Sequence, residues 1–358
     1  MYKLPLEGIR AIDHGIVYAV PAATTMLADM GCQVIRVESI QVLPTATRGI
    51  VARPPEGMTM YPGYADNDPG KRPWDRWYQF HGIQRNKYGI TLDLSRAKGA
   101  EVYKRLVRRS DVILENFSPG VMERLGLGYS VLKEAKQDII VVSASGFGRA
   151  GPYAGYSTFG SNLSAATGMM ALSGYPGDDM MIRTVGSVWS DNAAAGTIVF
   201  AALTALHYRE KTGKGQFIDL SQAETFLPHM GEAIMDYTMN KRVQEAIGNR
   251  DPSMAPHGCY RCQGDDKWVT IAVSSDEQWK VFCHVLGNPS WTKEDRFSDA
   301  LSRWANQDEL DKLIEEWTTK RQPYQVMHLL QRAGVPAGPV IKACDLYSDP
   351  QLNERGFF

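Results

Sequence analysis

The first 150 residues alternate short apolar runs with segments whose apolar positions recur every three or four residues. Ile9–Asp13, Val34–Glu38, Ile90–Leu94, Val112–Glu115 and Ile139–Ser143 have the length and β-branched content of buried strands. Between them, Ala22–Met30, Ala97–Arg108 and Val121–Leu127 suit helices, with Gly31 and Gly126 as stops. Strands alternating with helices predict an open, mostly parallel sheet covered on both faces, an α/β, Rossmann-like domain. Further on, Asp191 to about Glu210 reads as one long helix capped by its first aspartate. The turn TGKGQ leads from it into a strand at Phe217–Leu220.

Two stretches break the alternation. Leu43–Trp77 carries Pro44, Pro54, Pro55, Pro62, Pro69 and Pro73 and reads as a long loop, of a length that is usually functional or disordered. After about Phe226 the pattern changes to a strand at Trp268–Val273 and helices at Glu277–Leu286, Gln307–Thr318 and Tyr324–Ala333. The predicted division is a large α/β domain over 1–225, including the long helix as linker, and a small α+β domain over 226–330. Residues 331–358 are predicted to link back towards the large domain.

Composition narrows the function classes. With 358 residues, 44% hydrophobic and 22% charged, the chain is long enough for two domains. Lys and Arg total 39 against 40 Asp and Glu, a balance that asks for neither nucleic acid nor an anionic membrane. Ala193–Leu206 is too short and alanine-rich for a membrane span and reads as a buried helix. The N-terminus lacks the pattern of a signal peptide, and five irregularly spaced cysteines give no disulfide framework. The expected location is the cytoplasm.

The first strand-to-helix turn, DHGIVYAVPAATTML, has one glycine and no GxGxxG, which disfavours a conventional dinucleotide site. Backbone N–H groups at that helix start can still receive phosphates or an adenine. Cys259 and Cys262 lie near His257, but no second ligand pair has zinc spacing, so no metal is expected and the pair reads as apolar packing in a hairpin. The seven histidines are scattered, with no HExxH and no GxSxG. Asp191 supports two readings. It fits a helix N-cap, which the local pattern favours. It also fits a covalent nucleophile, because an ionised carboxylate needs no general base to attack a thioester. Its neighbours, AAAG, leave room for a bulky acyl-CoA.

Several stretches in order resemble family III CoA-transferases, the group of formyl-CoA transferase and carnitine CoA-transferase, which also includes α-methylacyl-CoA racemases. They are LEGIRAIDHGIVYAVPAATTMLADMGCQVIRVE, RNKYGITLDL, DVILENFSPGVMERLG, SASGFGRAGPY, VGSVWSDNAAAGTIVFAALTALHYREKTGKGQFIDLS, YRCQGDDKWVTIAVSSDEQW and AGVPAGPV. The resemblance implies that Asp191 attacks a donor thioester, forming a mixed anhydride and then an aspartyl-CoA thioester. Coenzyme A enters as substrate, no cofactor is tightly bound, and the partners are an acyl-CoA donor such as succinyl-CoA and a carboxylic acid acceptor. It places Val17, Tyr18 and Ala19 against the nucleotide, Leu92 on the adenine side, and Asn116, Arg124 and Phe159 in the CoA site. It also implies an interlocked homodimer.

Departures from the family pattern carry information too. Ser39 stands where some members have arginine, and no glycine-rich loop is evident near Gly248–Pro256. Phe159 stands where formyl-CoA transferase has tyrosine and the racemases a catalytic histidine, and Gly160 replaces an acidic residue of both. Phenylalanine cannot exchange a proton, which argues against the rival reading as a racemase. A third reading, a non-catalytic acyl-CoA-binding protein, gains from Ser39, Gly160 and the ending LYSDPQLNERGFF, where members usually continue into the first domain. A C-terminal truncation is expected on that ground.

Overall fold

The computed structural model describes residues 3–39, 41, 48, 63–177 and 189–358. The chain forms two compact units, one of Met1–Leu172 and Asp179–Gln244, the other of Ser173–Asp178 and Glu245–Phe358.

In the first unit β1 (Arg10–His14) leads into α1 (Ala19–Asp29) and β2 (Gln33–Glu38). Helix α2 (Tyr78–Gln84), β3 (Lys87–Thr91), α3 (Ala97–Val107), β4 (Val112–Glu115), α4 (Val121–Arg124), α5 (Tyr129–Ala135) and β5 (Ile140–Ser143) follow. Then come α6 (Gly160–Ala166), the long α7 (Trp189–Thr212), β6 (Phe217–Asp219), α8 (Gln222–Phe226) and α9 (Gly231–Asn240). The six strands are parallel in the order β3-β2-β1-β4-β5-β6. Ala11, Leu114 and Val142 pack with the residues of α1 and α7, whereas Ile12, Ile113 and Val141 pack with Tyr103 and Val107 of α3 and Leu132 of α5. Burial on both faces explains why these strands read as continuous apolar runs. Past its first turn, the buried positions of α7 are Ala194, Ala195, Ile198, Ala202 and Ala205, four of the five being alanine. Their small side chains let the helix lie close against α1.

Several expected boundaries move, and three of the shifts have a clear physical reason. The third strand occupies Lys87–Thr91 rather than Ile90–Leu94, because it is a half-exposed edge strand whose buried group is an amine. Helix α1 begins at Ala19 rather than Ala22, since Pro21 in a first turn gives up an N–H that has no helical partner there. The large unit runs to Gln244 rather than 225, because α8 is bonded into it: Gln222 N and Ala223 N donate to Ser145 O and Gly146 O at 3.0 and 2.9 Å. Of the proline-rich stretch Leu43–Trp77, residues 42–47 and 49–62 lie outside the described residues; the described end has short turns and a bridge between Tyr64 and Trp77.

The second unit holds an antiparallel sheet of β7 (His257–Arg261), β8 (Trp268–Ala272) and β9 (Ala337–Val340). Helices α10 (Asp276–Leu286), α11 (Gln307–Thr318) and α12 (Pro323–Arg332) accompany it. Val269, Ile271, Phe282, Leu310, Val326 and Leu330 build its core, and Cys262 packs there with its thiol pushed up by burial to about 11. Residues 337–340 are thus a strand of this unit and not the expected link back to the large domain. No helix among the described residues is long and apolar enough to cross a membrane.

Candidate active site

Strand order reverses direction between β1 and β4, and in open parallel sheets the crevice at that point is where ligands bind. A cleft of about 580 Å³ opens there, at the carboxyl ends of the strands. Its floor is the loop Gly15–Val17. Gly15 is required, because a Cβ there would come within 2.2 Å of Pro21 Cδ. The loop is held from two sides. Gly15 N donates to Asp13 Oδ1 at 2.6 Å, and Gly15 O accepts from Arg36 Nη1 at 2.9 Å. Across the reversal point, Asn116 Oδ1 accepts from Ile16 N at 2.7 Å and Asn116 Nδ2 donates to Ile16 O at 2.9 Å. Both backbone groups of Ile16 are therefore fixed by one side chain. Val17, at φ +63°, then turns into the cleft wall.

Beneath the loop lies a buried ionic hub. Asp13, fully buried, accepts from Lys87 Nζ at 2.9 Å and Thr24 Oγ1 at 2.7 Å, and pairs with Arg36 at 3.3 Å. Burial alone would raise its carboxyl, but Lys87, Arg36 and Thr24 outweigh that and hold it well below the usual carboxylate range. Lys87 also donates to Pro21 O and Ile83 O, both at 2.7 Å, while burial, opposed by Asp13, brings its amine down to about 8. His14 beside them is buried against Tyr103 and Phe117, ring centroids 5.0 and 5.9 Å away. Burial pushes it down to about 4, so at neutral pH it is an uncharged part of the floor. At the β2 end, Ser39 lines the cleft and the Glu38 carboxylate pairs with Arg48 and, at 3.2 Å, with Arg36.

Asp191 lines the other end. It is the third residue of α7 and not its N-cap, because Trp189 and Ser190 are already helical. The residue is 9% exposed, and among the described residues no hydrogen bond or ion pair reaches its carboxylate. Burial alone raises the carboxyl from 3.8 to about 6. The start of a helix favours an anion through its unpaired N–H groups, but desolvation prevails. Ser145, Gly146, Thr158, Phe159 and Gln222 line the same cleft. Gly146 is close-packed, as a Cβ would meet Thr158 Oγ1 at 2.1 Å. The Gln222 amide is fixed by donation to Ala144 O at 2.7 Å.

The cleft thus brings together Val17, Leu92, Asn116, Phe159 and Asp191. It does not take in Tyr18, which packs half-buried against the core, Ala19, which is fully buried in α1, or Arg124, exposed at the end of α4. The sequence reading missed Arg36, Lys87, Ser145 and Gln222. Asp13 at the end of an otherwise apolar strand was the one local sign of the hub, and its partners are defined only by the sheet order.

The model of CoA-transferase family III matches residues 6–358. Over 351 residues the chain is 32% identical to the succinyl-CoA–D-citramalate CoA-transferase of Chloroflexus aurantiacus, covering 98% of this chain and 82% of that protein. It is also 32% identical to the acetyl-CoA:oxalate CoA-transferase of Acetobacter aceti, covering 99% and 85%. Among solved structures, a CAIB/BAIF family protein from Brucella suis superposes with a TM-score of 0.86 at 31% identity, covering 99% of this chain and 89% of that one. Fold, cleft and ordered sequence match agree that the chain belongs to CoA-transferase family III and is a CoA-transferase.

Proposed function

We propose that the protein moves coenzyme A from an acyl-CoA donor to an organic acid through a covalent intermediate on Asp191. The observation that carries this reading is a desolvated carboxylate, without a partner among the described residues, lining the same cleft as the Gly15–Val17 loop. With its pKa at about 6, Asp191 is still mostly ionised at neutral pH. Desolvated by burial and with no counter-ion among the described residues, it is a stronger nucleophile than an exposed aspartate.

An Asp191 oxygen attacks the thioester carbonyl carbon, the C–S bond breaks, and the CoA thiolate leaves a mixed anhydride. The thiolate then attacks the Asp191 carbonyl, releasing the donor acid with one aspartate oxygen and leaving an aspartyl-CoA thioester. The acceptor carboxylate displaces the thiolate, which returns to the acceptor carbonyl and frees Asp191. The nucleotide lies against Val17 and Leu92, with Asn116 setting the loop. Phe159 walls the reacting end and offers no proton, which fits transfer and not racemisation. The chain works in the cytoplasm as an interlocked homodimer, and the exposed apolar side chains Trp189 and Phe200 on α7 give a second copy a surface to cover.

Incubation with an acyl-CoA donor and hydroxylamine should convert Asp191 to a hydroxamate that peptide mass spectrometry can locate. Turnover with no modification at that residue would refute the assignment.

A further inference from the structure

We propose that Ser190 and Ser164 form a hydroxyl lock on the Gly160 carbonyl that aims Asp191, which makes both serines positioning residues; the proposal rests on Asp191 being the nucleophile. Ser190 is fully buried and immediately precedes Asp191 in the first turn of α7. Its hydroxyl donates to Gly160 O at 3.0 Å, and Ser164 donates to the same oxygen at 2.8 Å. The two hydroxyl oxygens lie 3.3 Å apart. Among the described residues, these two contacts of Ser190, with Gly160 O and with Ser164 Oγ, are the hydrogen bonds that join α6 to α7.

Successive residues on a helix point about 100° apart, so anchoring Ser190 against α6 fixes the rotation of the first turn of α7. That rotation sets where the Asp191 carboxylate points. The anchor is the first residue of α6, directly after Phe159, which lines the same cleft as Asp191. One carbonyl therefore ties the residue before the proposed nucleophile to the cleft wall at Phe159 and Gly160. Attack requires the carboxylate oxygen and the thioester carbon to meet at about 3–3.5 Å, and a displacement of about 1 Å costs up to about a hundredfold in rate. Ser164 bonds the carbonyl within its own helix and reaches α7 only through the longer contact with Ser190, so it supports the anchor, whereas Ser190 ties α7 to the carbonyl itself. The two serines are unequal.

Ser190→Ala should lower kcat by about 10- to 100-fold. It should leave the dissociation constant for acyl-CoA within about twofold, because the Ile16 clamp is untouched. Ser164→Ala should lower kcat only a few-fold. Once Asp191 is free to reach water, the acid limb of kcat/KM should move from near 6 towards the ordinary carboxylate range. Unchanged kcat in Ser190→Ala would overturn the proposal. So would parallel losses of kcat, acyl-CoA binding and unfolding midpoint with the acid limb unmoved, since that is a merely structural role. Should Ser190→Ala not fold, unchanged kcat in Ser164→Ala decides against the lock. Asp191→Asn measured alongside separates the two ideas. If it turns over, the nucleophile reading fails; if it is dead while Ser190→Ala is fully active, only the lock fails.

Discussion

Asp13 and Asp191 are both aspartates withdrawn from water in the large unit, and the protein treats them in opposite ways. Asp13 receives Lys87, Thr24, Gly15 N and Arg36. Its charge is fully compensated, its carboxyl is held low, and its oxygens are committed to fixing the loop above. Asp191 receives no side-chain donor among the described residues, and its carboxyl rises to about 6. A paired carboxylate builds the floor of the cleft; a bare one at its wall is free to react. Burial by itself therefore does not mark a nucleophile. The absence of partners among the described residues, at a place where a ligand can enter, is what supports the proposed nucleophile.

Exchanging the amide for the acid separates these roles. Asp191→Asn should reduce turnover by at least about a thousandfold, as removal of a covalent nucleophile does elsewhere, and acyl-CoA binding should persist in an equilibrium assay. Asp13→Asn should do the converse. Leaving Lys87 and Arg36 buried with too little negative charge is expected to cost about 3–5 kcal/mol in urea unfolding. A hub variant with unaltered stability would remove the structural half of the comparison.

A smaller effect has the opposite sign. The folded-state pKa of Asp191 is raised from 3.8 to about 6, so the fold favours its protonated form. Its contribution to stability is full below about 3.8 and is lost as pH rises through about 6. At neutral pH the charged form costs about 3 kcal/mol, and Asp191→Asn should recover part of that as a higher unfolding midpoint. The same titration should appear in catalysis as an acid limb of kcat/KM near 6, because the protonated carboxyl cannot attack. Smallest of all, Asn116→Ala should weaken CoA binding by about tenfold, the worth of freeing the two backbone bonds on Ile16, with kcat little changed. A larger fall in kcat than in affinity would mean that Asn116 serves the reacting end.

The sheet was legible where burial is two-sided. Val112–Glu115 stands as expected, β2 and β5 differ by one residue at one end, and β1 is shifted by one residue. The edges were not. Lys87 opens β3 with a buried amine that only its distant partner Asp13 explains. In β9 the residues AGPV look like a turn, yet they form an edge strand, where proline gives up no ladder donor facing a neighbour. Asp191 was legible as a residue but not in its state. The sequence suggested an ordinary pKa and a capping position, whereas desolvation by the folded chain and two extra helical residues set both. Asn116 was legible as a site residue, but its engagement with Ile16 follows from strands that are neighbours in the sheet and 100 residues apart in the chain.

The most direct test follows the oxygen atoms. In the anhydride route each turnover leaves one acceptor oxygen on the aspartate. Turnover with an acceptor acid whose carboxylate carries oxygen-18, followed by digestion and mass spectrometry, should find the heavy isotope in the peptide containing Asp191 and localise it to that side chain. Complete transfer of coenzyme A with no label at Asp191 would contradict the account.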